Sequence, residues 1–369
     1  MRIDDLTTEA IAQKIRKDLP APHQMKIRLD DCVMAICASD QKIIGYLRSY
    51  FGPFLAKDNA SARIHISVHQ GPAPEIVHSL TNHMPGSGKT RIKETFAEIT
   101  NGRIVKKLQT GMVFVFGSGI HLAAGPCMEN INQVINFINN RFIAFKLDQG
   151  GLLAHAAGVS LQNKGIGIAG FSGTGKSSLA LKIVSLGADF TSNDRLILMK
   201  TKNRTHMLGV AKHPRVNPGT LLNNPDLGLI LPATEKTRYR QMDTAALWAV
   251  DAKYDVRIQD VFPERRFLIQ SPLNAMVILN WQLSDAPAAI RAVDPARRQD
   301  LLPALIKSPG VFYSAENYQV GEVSPQPAYI QALETCEVFE VSGGVDFECA
   351  AEYFMQYLRF GAAPLRKAK

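Results

Sequence analysis

A glycine-rich octapeptide in the middle of the chain constrains the fold more than any other feature of the sequence. Residues 170–177 read Gly-Phe-Ser-Gly-Thr-Gly-Lys-Ser and match G-x-x-x-x-G-K-[ST] at every fixed position. Glycines allow a tight turn whose backbone N–H groups converge on a phosphate, and the following helix directs its positive end at the same anion. A β-like segment, residues 165–169, precedes the octapeptide, and a helical pattern that stops at Gly187 follows it. The sequence therefore predicts a strand, a phosphate-binding loop and a helix.

The residues of this loop have distinct expected roles. Lys176 is expected to reach the β- and γ-phosphates of a nucleotide, and the Ser177 hydroxyl is expected to bind Mg²⁺. ATP and Mg²⁺ are thus the predicted ligands. A second G-K-T, within residues 85–90, has His83 where the first glycine is required and is interpreted as a surface loop. The predicted nucleotide-binding residues are Gly170, Phe171, Ser172, Gly173, Thr174, Gly175, Lys176, Ser177 and Ser178.

Phosphoryl transfer also needs a carboxylate that holds the metal, and often a group that takes the proton of the acceptor. Asp194 follows a short β-like run, residues 190–192, and a strand beside the loop would bring its carboxylate to the Mg²⁺. Asp194 is therefore predicted as a metal ligand together with Ser177, and as a catalytic residue. Upstream, His155 lies among apolar residues, where a histidine is more often a core residue than a catalytic one.

Composition restricts the class of protein. The 369 residues suit one large or two medium domains. The shares of hydrophobic residues (46 %) and charged residues (20 %) are ordinary for a soluble protein, and no apolar run reaches the length of a membrane span.

The acidic start, residues 1–5, does not resemble a secretory signal, so a cytoplasmic location is expected. Five cysteines without C-x-x-C spacing indicate reduced thiols rather than a zinc site or a disulfide framework.

The chain is basic, with a formal net charge of +9. This charge favours anionic ligands such as nucleotides. It is spread along the chain, apart from a cluster in residues 366–369, and no basic stripe with interleaved aromatic residues is present. Nucleic acid is therefore not an expected partner.

The order of breakers and apolar segments predicts an α/β protein with two domains. Residues 1–148 are expected to form a smaller α+β domain and residues 149–369 the phosphate-loop domain, with a turn at Asp148. An alternative boundary lies near residues 125–126. Within the second domain, residues 163–165 suit a hairpin turn between two strands.

The succession of His155, the loop 170–177 and Asp194 resembles the catalytic domain of bacterial HPr kinase/phosphorylase, whose topology is similar to that of phosphoenolpyruvate carboxykinase. The resemblance is good over residues 150–200 and weak over 250–285, and it does not extend to the first 148 residues. Within that family, the chain is most similar to the HprK-related kinase B proteins, of which residues 212–220 are characteristic.

The resemblance implies a P-loop core of the HPr kinase / PEP carboxykinase type and a role for each matched residue. His155 would lie near the transferred phosphate, and Asp194 would be the second acid of the family's pair. The first acid is replaced by Asn193, whose amide is not a useful base, so Asp194 or His155 would take the proton. Arg215 would either stabilise charge in the catalytic site or be a turn arginine in solvent.

The resemblance therefore implies an ATP- and Mg²⁺-dependent kinase that acts on a hydroxyl of a protein or of a small molecule. The family's Arg-Gly-Leu-Gly signature is absent, so HPr itself is not the expected acceptor. The alternative is a non-catalytic module whose ATP occupancy regulates partner docking. A simple ATPase motor is disfavoured, because no second apolar strand ending in Asp is found. Since members of the family assemble, a homo-oligomer is also implied.

Overall fold

The computed structural model describes residues 2–3, 7–77, 79–84, 90–243, 246–247, 250, 252–315 and 318–361. It folds as two compact units. The first unit comprises Met1–Gln149 and Ser308–Glu322, and the second comprises Gly150–Lys307 and Val323–Lys369. The first passage between the units lies next to the predicted boundary at residues 148–149, whereas the return of Ser308–Glu322 to the first unit was not anticipated.

The first unit is built on a mixed eight-stranded sheet with the order β2-β3-β4-β10-β9-β8-β7-β6, in which β4 pairs in parallel with β3 and β10. Strands β1 and β5 form a separate parallel pair. The strands are β1 Arg2–Ile3, β2 His23–Leu29, β3 Cys32–Ala38, β4 Ile64–Gln70, β5 Glu75–Ile76, β6 Thr81–Asn82, β7 Glu94–Ile99, β8 Gly102–Lys107, β9 Val113–Gly117 and β10 Ile120–Gly125. The helices are α1 Thr8–Asp18, α2 Gln41–Tyr50 and α3 Ile131–Leu147.

Local sequence explains these helices. The Thr7 side chain accepts a hydrogen bond from the Ala10 N–H at the start of α1, and Asp40 accepts one from the Lys42 N–H at the start of α2. The predicted helix carrying Ile131, Val134, Ile135, Ile138 and Phe142 is confirmed as α3, and those five side chains are buried.

The segment Ser308–Glu322 is held in the first unit by aromatic contacts and by two buried arginines. The Phe312 ring packs against three phenylalanines of the sheet and of α3, Phe114, Phe116 and Phe137. Arg103 donates hydrogen bonds to the carbonyl oxygens of Val311 (2.9 Å) and Tyr313 (2.6 Å), and Arg141 donates to that of Phe312. The segment therefore completes the core of this unit.

The second unit contains a six-stranded sheet with the order β14-β12-β13-β20-β22-β21, a four-stranded sheet with the order β11-β15-β16-β19, and the pair β17-β18. Its strands are β11 Leu152–Ala154, β12 Ala156–Leu161, β13 Lys164–Gly170, β14 Asp189–Ser192, β15 Leu196–Lys200, β16 Thr205–Leu208, β17 Arg215–Val216, β18 Tyr254–Asp255, β19 Gln270–Pro272, β20 Ala275–Leu279, β21 Ala289–Ala292 and β22 Glu337–Ser342. Its helices are α4 Lys176–Ser185, α5 Pro218–Leu222, α6 Ala233–Arg240, α7 Ile258–Val261, α8 Gln326–Leu333 and α9 Phe347–Phe360. The protein is thus of the mixed α/β class.

Two details of the second unit differ from the sequence prediction. The apolar segment 152–161 is not one strand: it divides at His155, whose N–H donates to the Leu305 carbonyl (2.7 Å), so that β11 and β12 belong to different sheets. The hairpin turn lies one residue earlier than predicted. Gln162 and Asn163 have φ angles of 49° and 63°, because Lys164 already pairs with Leu161 in the sheet.

Some sequence features lie outside the described residues: the second G-K-T loop at residues 85–89, and the basic cluster 366–369. Among the residues that the structure describes, none of the helices combines the length and apolar character needed to cross a membrane.

Candidate functional site

The predicted phosphate loop connects β13 to α4, which begins at Lys176. Two of its glycines have left-handed backbone angles, with φ of 88° at Gly173 and 91° at Gly175. Gly175 also has no room for a side chain, because a Cβ would lie 2.5 Å from the ring of Phe347. The first N–H groups of a helix have no partner within the helix, so the start of α4 offers donors to an anion.

The end of α4 also follows the prediction. Gly187, with φ of 123°, donates its N–H to the Val184 carbonyl, and Ala188 donates to that of Ile183. This pair of bonds is the Schellman arrangement, in which glycine ends a helix. The predicted order of a strand, a loop and a helix that ends at Gly187 is therefore confirmed as secondary structure.

The Lys176 side chain turns back onto the loop. Its Nζ donates to the carbonyl oxygens of Gly170 (2.7 Å) and Phe171 (3.0 Å), and the residue is 7 % exposed. Burial lowers the pKa of Lys176 to about 8, although Asp194 acts in the opposite direction. The loop is braced by the Trp281 indole N–H, which donates to the Thr174 carbonyl (2.8 Å). Lys176 is thus a buried cation beside backbone donors.

The other loop residues differ in their accessibility. Phe171, Ser172 and Gly173 are exposed, and Ser177 is half-buried in the first turn of α4. The Ser178 hydroxyl lies 2.8 Å from that of Thr220 in α5. Ser178 is therefore engaged in packing between two helices, whereas the Ser177 side chain has no such contact in the described structure.

Asp194 follows the last residue of β14 by two positions, and the side chains of a histidine and a lysine contact its carboxylate. The Nε2 atom of His155 is 3.1 Å from Oδ1, and the Nζ atom of Lys307 is 3.1 Å from Oδ2. The structure thus brings together two residues singled out in the sequence, His155 and Asp194. It adds Lys307, which no motif indicated.

The protonation states of this cluster follow from its contacts. Burial would raise the pKa of Asp194, but the hydrogen bond from His155 and the charge of Lys307 lower it well below its usual value. The hydrogen bond to Asp194 favours a charged His155, but burial and the charges of Lys307 and Lys176 outweigh it and lower the pKa of His155. At neutral pH the carboxylate is therefore ionised, and a neutral imidazole donates its Nε2–H to it.

The neighbouring residue Asn193 has a buried amide oxygen. In the part of the chain that the structure describes, no donor lies within hydrogen-bond distance of this Oδ1 atom. Buried polar atoms are almost always paired, so this oxygen is suited to accept a hydrogen bond from a bound ligand.

The Arg215 side chain contacts an acid on the facing strand. It lies on β17 opposite Asp255 of β18, with Nε 2.9 Å from Oδ1, and both side chains are about half exposed. Within the described ranges, no hydrogen bond or ion pair joins Arg215 to Asp194, His155 or Lys176. Arg215 is thus part of a short strand pair rather than a turn, and its catalytic role stays a prediction.

The donor set fits Mg²⁺ in chemistry. Mg²⁺ in nucleotide enzymes is held by one or two protein oxygens, with water and phosphate oxygens completing the shell. Ser177 would supply a hydroxyl and Asp194 a carboxylate. Within the described chain, no group of three or more His, Cys, Asp or Glu side chains could hold a metal without such help.

Comparisons with known proteins do not assign this chain to a family. The scan of known protein families gives no match, and neither does the search of curated proteins. Among solved structures, the chain is similar to the Hpr(Ser) kinase/phosphatase from Coxiella burnetii, with 10 % identity, a TM-score of 0.27, and coverage of 56 % of this chain and 93 % of that chain. A TM-score of this size establishes neither a shared fold nor a shared activity.

Proposed function

We propose that the second unit is an ATP- and Mg²⁺-dependent phosphotransferase whose acceptor is a hydroxyl group of a protein or of a small molecule. The observation that carries this proposal is the contact of His155 Nε2 with Asp194 Oδ1 at 3.1 Å, in the unit that contains the glycine-rich loop. Lys176, at the start of α4, acts on the pKa of His155, and Asp194 acts on the pKa of Lys176. These charge influences support a site in which the phosphate-loop lysine lies near the contacting carboxylate and imidazole. We extend the proposal to a core of the HPr kinase / PEP carboxykinase type, on the sequence resemblance alone.

The residues of the cluster have separable roles in such a reaction. The loop N–H groups and Lys176 bind the β- and γ-phosphates. To do so, the Lys176 ammonium leaves the carbonyl oxygens of Gly170 and Phe171 and binds phosphate oxygens instead. Bound Mg²⁺ would be held by Ser177 and Asp194 and would neutralise charge on the phosphates. His155 and Lys307 orient the Asp194 carboxylate. The buried oxygen of Asn193 accepts a hydrogen bond from the acceptor hydroxyl.

This chemistry can proceed, although more slowly, without a strong base. Phosphoryl transfer passes through a loose transition state, so positioning and charge neutralisation supply most of the rate enhancement. An Asp194 carboxylate whose pKa is held low is a weak proton acceptor, but it remains ionised and orients the nucleophile. The absence of an acid at position 193 is therefore compatible with a slow kinase.

The substitution Lys176→Ala tests the proposal. We expect a loss of ATP turnover and of label transfer from γ-labelled ATP by about 100-fold or more, because a preorganised cation at the developing charge is removed. The circular dichroism spectrum should remain that of the native protein. Lys202→Ala, at an exposed lysine of the same unit, is the matched control. Unchanged turnover in Lys176→Ala would contradict the assignment.

A second function, a non-catalytic nucleotide-binding module, is favoured by one observation. Both oxygens of Asp194 are engaged by His155 and Lys307, and the adjacent position holds an amide rather than an acid. If wild-type protein binds Mg·ATP by calorimetry but transfers no label, this second function replaces the first.

A further inference from the structure

We propose that Lys307 makes metal binding and nucleotide binding depend on each other. Its ammonium group pairs with the Asp194 carboxylate until a divalent metal ion takes that position, and it then binds a phosphate of the nucleotide that accompanies the metal. The inference rests on the proposed function and concerns the regulation of the same site.

Two side chains hold the Asp194 carboxylate at different oxygens. The Nε2 atom of His155 lies 3.1 Å from Oδ1, and the Nζ atom of Lys307 lies 3.1 Å from Oδ2. The histidine contact is compatible with metal binding, because a neutral imidazole adds no charge and such hydrogen bonds commonly orient ligating carboxylates. The lysine contact is not, because an ammonium group and a divalent cation on one oxygen repel each other. A metal ion at Oδ2 therefore replaces Lys307.

The ion pair of Lys307 with Asp194 is accessible to a competing cation. The Asp194 side chain is 52 % exposed, and that of Lys307 is 24 % exposed. Ion pairs that are open to solvent contribute little to stability, whereas a fully buried pair resists separation because each charge would be left without a partner. A metal ion from solution can therefore compete with Lys307 for the carboxylate.

The backbone that carries Lys307 is fixed, so only its side chain needs to move. The Lys307 N–H donates to the Leu153 carbonyl (3.3 Å), and the preceding residue, Ile306, forms a β-bridge with Ala154. A lysine ammonium stands on a flexible stem and has rotatable donors. Lys307 can therefore exchange partners without a change of the fold.

A released Lys307 ammonium needs a new anionic partner. In support of its closeness to the site, the charge of Lys307 lowers the pKa of His155 and that of Lys176. Without a nucleotide, repulsion between the two lysines disfavours the release of Lys307 from Asp194. With a nucleotide, the phosphates that the metal bridges provide the new partner. Lys307 thus opposes binding of a metal alone and favours binding of a metal together with a nucleotide.

The substitution Lys307→Met tests this inference, with Lys200→Met as the matched control. Lys200 forms a similarly exposed ion pair with Glu334 (2.8 Å) in the same unit. Binding of Mn²⁺ to the full chain without nucleotide is measured by electron paramagnetic resonance. We expect Lys307→Met to bind Mn²⁺ about fivefold more tightly than wild type, because the competing cation is removed. Lys200→Met and Lys307→Arg should match wild type.

Nucleotide binding should change in the opposite direction. In EDTA, we expect a non-hydrolysable ATP analogue to bind Lys307→Met about fivefold more weakly than wild type by calorimetry, because the phosphates then face the negative charge of Asp194 alone. A merely structural role of Lys307 would weaken the binding of Mn²⁺ and of the analogue together. Opposite shifts are therefore the signature of the exchange.

Acetylation of wild-type protein, followed by mass spectrometry, reports on the ammonium group itself. We expect Mn²⁺ alone to increase labelling of Lys307, because an ammonium released from a carboxylate loses its proton more readily. Mn²⁺ together with the ATP analogue should reduce the labelling again. Lys202, an exposed lysine of the same unit, is the internal control and should be labelled equally in all three states.

The outcomes distinguish the inference from the function. If Lys307→Met binds Mn²⁺ no more tightly than wild type, or if Mn²⁺ leaves the labelling of Lys307 unchanged, the inference is overturned while the proposed function stands. If wild type does not bind the analogue with or without Mn²⁺, the proposed function fails, and the nucleotide half of the inference fails with it. The Mn²⁺ measurements without nucleotide then still decide whether Lys307 competes with a metal for Asp194.

Discussion

Asp194 is held by two partners that keep it charged, and this limits what it can do alone. With His155 on one oxygen and Lys307 on the other, the pKa of Asp194 is lowered too far for efficient proton removal near neutral pH. The adjacent amide of Asn193 has a buried oxygen without a hydrogen-bond partner among the described residues, and an amide cannot take a proton. The chemistry at this position is therefore limited by the absence of a base of suitable pKa.

Asn193→Asp tests this limitation. A carboxylate at position 193, next to the charged Asp194, has its pKa raised by the like charge and by burial, which makes it a better base. We expect label transfer from γ-labelled ATP to rise by about tenfold or more, with a lower unfolding temperature, since a second buried charge is introduced. Asn193→Ala is the control, in which transfer should not rise. Equal rates in wild type and Asn193→Asp would show that proton removal does not limit the reaction.

The sequence could identify some of these residues and not others, for a physical reason. Lys176 and Ser177 stand in a motif whose spacing is set by a local turn, and Asp194 and His155 lie within the same resemblance. Lys307 is separated from Asp194 by 113 positions and stands in no pattern, so only the tertiary fold shows their contact. The roles of all five residues stay predictions until the variants are measured.

At the scale of the element, the loop before α4 depends on two glycines that differ in their surroundings. Gly173 and Gly175 have nearly the same φ, 88° and 91°, which side chains rarely adopt. Around Gly173 there is open space, whereas the Phe347 ring fills the position of a side chain at Gly175. Alanine substitutions at the two positions therefore distinguish the cost of a left-handed backbone from the cost of a clash between side chains.

The alanine variants at these positions should therefore differ in stability. Gly173→Ala is expected to lower the free energy of unfolding by about 1 kcal/mol, from the left-handed backbone alone. Gly175→Ala should lower it by a further ~1–3 kcal/mol, because the methyl group overlaps the Phe347 ring. Urea unfolding of both variants measures the difference. Equal losses would show that Phe347 moves aside without cost.

The elements themselves were predicted unequally from sequence. α3 and α4 were predictable because their apolar residues recur with helical spacing and their ends carry breakers. The division of segment 152–161 at His155 was not, because both halves are apolar and a periodic pattern does not show which sheet each will join. The partner strands decide this: Leu153 pairs with Ile197 of a distant strand, whereas Ala157 pairs with Ile168 in the local hairpin.

At the scale of the whole molecule, the first unit is completed by residues from much later in the chain. Phe312 fills the space between the sheet and α3, and its neighbours' carbonyl oxygens pair with the buried Arg103. No composition change or motif marks Ser308–Glu322, and the residues it contacts lie about 200 positions away. The sequence therefore predicts a first domain of residues 1–148 that lacks part of the observed core.

Fragments of the chain test this organisation. Residues 1–149 alone should be aggregated or poorly folded, since the aromatic side chains that Phe312 covers would be exposed and the buried arginines Arg103 and Arg141 would lose their carbonyl partners. Addition of a synthetic peptide of residues 308–322 should restore a cooperative unfolding transition, measured by circular dichroism. A peptide with Phe312→Ala should restore it less, because most of the buried aromatic area is lost. A stable fragment 1–149 without peptide would contradict this view.

The chain passes twice from the first unit into the second, and this limits how such proteins can exchange domains in evolution. A single genetic crossover near position 149 would join a new amino-terminal half to a second unit that still carries residues 308–322, whose aromatic and carbonyl groups contact the sheet and α3 of the original first unit. Exchange of the first unit between relatives thus requires coordinated replacement at two distant places in the gene. We expect its sheet and its late segment to be inherited together.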